Sequence, residues 1–167
     1  MNVLCVSDGS DDGYETVKTL AGILDRQQVG RVKIAIVTFP QHESPLWQKA
    51  YDLWLGADDL HRAMSIAAQR QLDRFKALFE PHAASVETEI MAGDPVNEVL
   101  QSSKAFGADL ILCGITSDER AHAVRQASSE IVSKSPIPVV IAYGRAGVRD
   151  AKRPEKVPGR SKRRAPA

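Results

Sequence analysis

Short hydrophobic runs alternate with longer amphipathic segments along the chain. The runs lie at 2–7, 31–39, 84–93, 108–114 and 137–143. They are rich in β-branched residues or alternate apolar with polar positions, which predicts strands. Between them hydrophobic residues recur at helical intervals, most clearly from Ala57 to Phe79. The β-α-β-α-β-α-β-α-β order predicts an α/β fold, a single doubly wound five-stranded parallel sheet with helices on both faces.

The segment "DPVNEVLQSSKAFG" carries helix signals at both of its ends. Asp94 stands before Pro95, and Gly107 closes the segment. Asp is a common N-cap, Pro suits the first helical position, and Gly is typical just past the last turn. We therefore predict a helix between Asp94 and Gly107.

Charge divides the chain into two parts. The whole chain of 167 residues carries a net charge of +1, but residues 145–167 hold nine Lys or Arg and only two acidic residues. That tail is therefore +7 and residues 1–144 are −6. The tail is also rich in Pro and poor in apolar residues. We predict one folded domain over 1–144 and a basic disordered tail over 145–167.

Location and metal binding follow from what the sequence lacks. No hydrophobic run approaches the length that crosses a bilayer, and the N-terminus is typical of a strand rather than a signal peptide, so we expect a cytoplasmic protein without a membrane partner. Cys5 and Cys113 lie inside predicted strands and outside any metal-ligand spacing. We predict that both are buried as small hydrophobic side chains and that the chain holds no metal.

Two predicted strand ends carry polar chemistry. The motif "SDGSDDG" follows the first strand, and a polar segment follows the fourth strand from Gly114 onward. In an open α/β sheet ligands bind outside the carboxyl ends of strands, where the strand order reverses. If the first and fourth strands are neighbours, these two loops face each other.

Four motifs occur in a characteristic order: Asp8-Gly9-Ser10, "GDP" at 93–95, "GADLILCG" at 107–114 and "SSEIVSKSPIPVVIA" at 128–142. Together they resemble the universal stress protein family over residues 2 to 143. The resemblance implies strand order 3-2-1-4-5 and a homodimer formed through the last strand, Ile137 to Tyr143. An apolar edge strand gives a separate reason for the dimer, because pairing with its own copy would cover it.

Nucleotide-binding members of that family carry a glycine, two residues, a second glycine, nine residues, a third glycine, and then Ser or Thr. This chain keeps the spacing with Gly114, Ser117, Ala127 and Ser128, but Ser and Ala replace the second and third glycines. Glycines let backbone N–H groups reach phosphates. At a position of positive φ, Ser117 costs about 1–2 kcal/mol, and Ala127 adds a methyl group at an expected helix start. We expect weak or absent ATP binding.

The resemblance assigns two further residues to the nucleotide site. It implies that Asp8 contacts the adenosine moiety and that Phe39, at the end of the second strand, lines the adenine pocket. Each residue also has a structural interpretation. Asp8 could cap the following helix, and Phe39 could fill the core.

The segment "QHESPLWQKAYDLWLG" contains both tryptophans of the chain. Trp47, Tyr51 and Trp54 share one face if the segment is helical. This stripe could pack on the domain, close over the crevice as a lid, or bind a partner.

The favoured interpretation is a non-enzymatic universal stress-type regulatory homodimer with an unidentified protein partner. The main alternative is an ATP-binding member that acts as a nucleotide-dependent switch. An ATP-using enzyme is a third hypothesis, because "SDGSDD" is faintly similar to the loop of ATP pyrophosphatases. That loop has two adjacent glycines, and Asp8 replaces the first of them in this chain. The tail motif "GRSKRR" could bind nucleic acid or an acidic surface, or could simply be solvated.

Overall fold

The computed structural model describes residues 1–24, 28–38, 60–116 and 122–144. Several sequence-predicted features lie outside the described residues: Phe39, the Trp47–Trp54 segment, Ser117 and the basic tail at 145–167.

Nine elements follow one another along the described chain. They are β1 (Asn2–Ser7), α1 (Asp11–Ala21), β2 (Arg31–Thr38), α2 (Leu60–Phe79), β3 (Ser85–Ala92), α3 (Pro95–Phe106), β4 (Leu110–Ile115), α4 (His122–Lys134) and β5 (Val139–Tyr143). All strand pairs are parallel, and the sheet order is β3-β2-β1-β4-β5. The predicted fold class and strand order are confirmed.

One predicted strand boundary changes the interpretation of a candidate site residue. The sequence placed Gly114 at the end of the fourth strand, where the polar loop begins. In the structure β4 continues to Ile115, and Gly114 pairs in register with Ser7 of β1 and Ala142 of β5. Gly114 is therefore a strand residue with strands on both sides.

Helices cover both faces of the sheet. Side chains of α1 and α2, including Val17 and Phe75, form one hydrophobic core with Cys5 of β1. Side chains of α3 and α4 form the other core with Cys113 of β4. Strands buried on both faces need apolar residues at every position, which explains the continuous hydrophobic runs of β1 and β4.

The two cysteines are buried as predicted. Cys5 is 0% exposed and Cys113 is 1% exposed, and they lie in the cores on opposite faces of the sheet. Burial raises the pKa of the Cys113 thiol to about 12 and also raises the pKa of Cys5. Both residues act as hydrophobic core side chains.

The predicted ends of α3 are confirmed by its caps. The Asp94 carboxylate accepts a hydrogen bond from the backbone N–H of Asn97 at 2.8 Å, and Pro95 occupies the first helical position. Gly107 ends the helix in the left-handed conformation with φ of 65°, which favours glycine.

The two edges of the sheet differ in charge. Edge strand β3 carries Glu87 and Glu89, which pair with Arg31 and Lys33 of β2. Charges on an edge strand discourage pairing with another chain. Edge strand β5 has the sequence VVIAY and no charged residue.

Candidate functional site

The candidate site lies at the carboxyl edge of the sheet, where β1 stands between β2 and β4. From β1 the chain proceeds to β2 and β3 on one side, and it then crosses to β4 and β5 on the other. This reversal of strand order opens a crevice above the strand ends. Thr116, the described residue that follows β4, meets the loop after β1 there, as the sequence predicted for neighbouring strands.

Asp8 joins these two loops directly. One carboxylate oxygen, Oδ2, accepts a hydrogen bond from the backbone N–H of Thr116 at 2.8 Å. The other, Oδ1, accepts from the Ser10 N–H at 2.9 Å and from the Ser10 hydroxyl at 2.6 Å. The residue is 1% exposed. Burial raises the pKa of Asp8, and the hydrogen bonds from Ser10 and Thr116 lower it in part.

Ser10, not Asp8, caps α1. The Ser10 hydroxyl oxygen accepts from the backbone N–H of Gly13 at 2.9 Å, while Ser10 itself stays in an extended conformation. Such a bond satisfies one of the N–H groups that the first helical turn leaves without a partner. The interpretation of Asp8 as the helix cap is therefore wrong, although Asp8 orients the residue that does cap.

Gly114 packs against α1. A methyl group at this position would lie 2.7 Å from the Gly13 carbonyl oxygen and would overlap the side chain of Val17. The absence of a side chain at Gly114 thus lets α1 approach β4. That requirement exists whether or not a ligand binds.

Ala127 and Ser128 lie within α4 rather than at its start. The helix already includes His122, so the expected helix start at Ala127 is wrong. Beyond the first four residues, helical N–H groups donate to carbonyls of the preceding turn. The Ser128 hydroxyl also donates to the Val124 carbonyl at 2.8 Å. These two candidate phosphate contacts are therefore occupied by bonds within the helix.

A cleft opens at this edge, on the face of the sheet that α3 and α4 cover. It measures about 310 Å³, counting the part open to solvent. Its walls are Val6, Ser7, Asp8, Val37, Pro95, Val99, Cys113, Ile115, Val124, Ala127, Ser128 and Ile131. Most of these side chains are hydrophobic, so the described walls offer few groups that could bind a phosphate.

The structure brings together half of the sequence-predicted site. Asp8, Ala127 and Ser128 line the cleft, whereas Gly114 packs against α1. Phe39 and Ser117 lie outside the described residues.

Ser7 and Thr116 were missed as site residues by the sequence analysis, and Ser10 was quoted in a motif without its role as the helix cap. Ser7 lines the cleft and accepts from the Gly9 N–H at 3.1 Å. Ser10 caps α1, and Thr116 supplies the backbone donor to Asp8. Both serines lie within the quoted "SDGSDDG" motif, which was the available signal. Thr116 contributes through its backbone N–H, so its residue type gives no signal in the sequence.

No described helix is both long and apolar enough to cross a bilayer. Within the described ranges, no group of three or more His, Cys, Asp or Glu residues is arranged to hold a metal ion.

Comparison with known proteins places this geometry in a family context. The model of the universal stress protein family matches residues 1–142. Comparison with curated protein sequences found no significant match.

Several solved structures share the fold. The universal stress protein UspA from Lactobacillus plantarum is 18% identical with a TM-score of 0.56, over 84% of this chain and 96% of that one. A universal stress protein family protein from Arabidopsis thaliana with AMP bound is 16% identical with a TM-score of 0.57, over 87% and 93%. The universal stress protein from Archaeoglobus fulgidus in complex with dAMP is 16% identical with a TM-score of 0.52, over 84% and 94%.

Proposed function

The chain belongs to the universal stress protein family, and we propose that it is a regulatory member that acts as a homodimer, without catalysis, and binds ATP weakly or not at all. Its partner in that role is another protein, still to be identified. The single observation that carries the ATP part of this proposal is the position of Ala127 and Ser128 inside α4.

A phosphate needs unoccupied N–H groups or hydroxyls that point toward it. Ala127 stands where nucleotide-binding relatives carry their third glycine, but its N–H belongs to the helical ladder. The Ser128 hydroxyl is engaged with the Val124 carbonyl. Phosphate binding at these positions would require α4 to unwind its first turns, which opposes binding.

The second candidate function is an adenine-nucleotide switch. Two structural neighbours contain AMP and dAMP, and the cleft of this chain lies at the strand-order reversal with Asp8 in its wall. A hydrophobic cleft of this kind suits a base better than a triphosphate. Among adenine ligands, this candidate therefore favours those with the least phosphate, a nucleoside first and then a monophosphate such as the AMP and dAMP of the two neighbours.

Calorimetry of the full chain with ATP, ADP and AMP tests the proposal. We expect no binding heat up to millimolar nucleotide for the wild type. The double variant Ser117→Gly with Ala127→Gly restores the missing glycines. It should gain affinity for ATP if their replacement alone prevents binding. Ser133→Gly in the same helix is the control for helix weakening, since glycine costs about 1 kcal/mol in a helix interior. Micromolar ATP binding by the wild type would contradict the proposal and favour the switch.

The homodimer is supported by the edge strand β5. Val140 is 39% exposed and Tyr143 is 49% exposed, and the strand carries no charge that would discourage pairing. A two-fold axis beside this edge would let each copy cover the apolar strand of the other. Sedimentation at micromolar concentration tests it, and a monomer there would contradict the dimer.

A further inference from the structure

We propose that the buried carboxylate of Asp8 couples the cleft to Gly144, the residue after which the basic segment 145–167 begins. Asp8 does so by supporting the end of β4 and the first turn of α1, both of which contact Gly144. We call the contacts among Asp8, Ser10, Gly13 and Thr116 the Asp8 latch.

The first arm of the latch joins Asp8 to the end of β4. Thr116 follows Ile115, the last residue of that strand, and donates its N–H to Asp8 Oδ2 at 2.8 Å. Thr116 is buried. Hydrogen bonds from an N–H to a carboxylate are stronger than neutral ones, and burial makes their loss costly. This arm therefore fixes the chain where it leaves β4.

The second arm joins Asp8 to the first turn of α1. Ser10 gives both its N–H and its hydroxyl to Asp8 Oδ1. With its hydroxyl proton committed to Asp8, the Ser10 oxygen is oriented to accept from the Gly13 N–H at 2.9 Å. Asp8 thus determines the geometry of the cap that begins α1.

Gly144 contacts both the end of β4 and the first turn of α1. Its N–H donates to the carbonyl of Ile115 at 3.0 Å, next to Thr116. It also packs on the first turn of α1, where a methyl group on Gly144 would lie 2.5 Å from the Asp12 Cβ and 2.5 Å from the Asp12 carbonyl oxygen. Asp8 therefore supports both neighbours of Gly144, through Thr116 beside Ile115 and through the Ser10 cap of α1, in addition to the pairing of Ile115 with Tyr143 in the sheet.

Asp8 is also part of the cleft wall. A ligand that drew the carboxylate away from Thr116 or Ser10 would loosen the support of Gly144. A contact that two sites share can couple them, because a change at one site alters the free energy at the other. This coupling needs no ATP, so the result of the ATP-binding test neither supports nor contradicts it.

Amide hydrogen exchange on the full chain without nucleotide tests the latch. In Asp8→Ala we expect exchange at Thr116, Gly13 and Gly144 to rise about tenfold or more, as loss of buried hydrogen bonds predicts, while the amides of β2 keep their wild-type rates. Unchanged exchange at Gly144 would overturn the proposal. An equal rise throughout β2 would also overturn it, because it would indicate general destabilisation.

Two milder variants separate the arms if Asp8→Ala folds poorly. Ser10→Ala removes the cap and the hydroxyl bond to Asp8 Oδ1 but keeps the Thr116 bond to Asp8 Oδ2, so Gly13 and Gly144 should exchange faster while Thr116 stays protected. Asp8→Asn keeps one acceptor oxygen, so only one of Thr116 and Ser10 should lose protection. If Ser10→Ala accelerates Thr116 as much as Gly13, the two arms are not separate and the latch is wrong.

Discussion

Gly13 of α1 and Gly114 of β4 lie so close together that neither has room for a side chain. A methyl group on Gly13 would lie 2.7 Å from the Gly114 carbonyl oxygen, and one on Gly114 would lie 2.7 Å from the Gly13 carbonyl oxygen. The contact brings the first turn of α1 against the carboxyl end of β4. A glycine at 114 therefore has a packing reason to be there, and its presence alone does not indicate phosphate binding.

We expect Gly114→Ala to destabilise the fold. The added methyl group overlaps Val17 and the Gly13 carbonyl, and overpacking of a rigid contact costs about 1–3 kcal/mol in the free energy of unfolding. Urea denaturation measures this. Gly22→Ala is the matched control, because Gly22 has φ of −67° and its added methyl group would meet only ordinary contacts, with the nearest atom 3.5 Å away.

The control should be neutral or should stabilise by about 0.4–1 kcal/mol through the unfolded state. Equal stability of Gly114→Ala and wild type would show that α1 can move away from β4 at little cost.

The cysteines should be unreactive in the folded protein. A thiol attacks as its thiolate, and burial holds the pKa of Cys113 at about 12. At pH 8 we expect iodoacetamide to label neither Cys5 nor Cys113 until the chain unfolds. Mass spectrometry with and without guanidinium measures the difference, and Cys5→Ala assigns the remaining label to Cys113. Labelling of Cys113 at similar rates in both conditions would mean that the cleft exposes it.

Local signals predicted the fold well where local chemistry decides the outcome. Asp94, Pro95 and Gly107 bound α3 as expected, because capping depends on residues next to each other in the chain. The hydrophobic runs predicted the strands because a sheet covered on both faces needs apolar residues throughout. The order of the strands came from the family resemblance and is confirmed.

The candidate site was less predictable because its contacts are long-range. Asp8 and Thr116 are 108 residues apart, and motif spacing cannot reveal that a side chain bonds a backbone N–H across two loops. Gly114 was assigned to a loop motif, but strands on both sides extend β4 past it. Ala127 was expected at a helix start because the phosphate motif places one there, whereas α4 already includes His122.

The stability contributed by Asp8 should fall as pH rises. Burial raises its pKa in the folded protein above the unfolded value, so the folded state holds the proton more tightly. The contribution is then fully present below the unfolded pKa and is lost as pH rises through the raised folded pKa. We expect the free energy of unfolding of wild type minus that of Asp8→Asn to decrease between pH 4 and 7 in urea titrations.

Glu130→Gln is the control with the opposite sign. Lys134 and Gln126 lower the pKa of Glu130, so its contribution is present above the unfolded pKa and declines as pH falls. If the Asp8 difference instead grew with pH, the hydrogen bonds from Ser10 and Thr116 would outweigh burial, and the direction inferred for its pKa would be wrong.

A charge on β5 should disrupt the proposed dimer, whereas the same charge on β3 should not. Val140 of β5 and Ile90 of β3 are matched probes, because they are 39% and 40% exposed on opposite edge strands of one sheet. Lysine on an edge strand discourages pairing with another chain, and β3 already carries Glu87 and Glu89. We therefore expect Val140→Lys to shift the dimer toward monomer by tenfold or more in dissociation constant, about 1.4 kcal/mol, and Ile90→Lys to leave it unchanged. Sedimentation velocity across micromolar concentrations measures both variants, and a dimer weakened only by Ile90→Lys would place the interface at β3 instead.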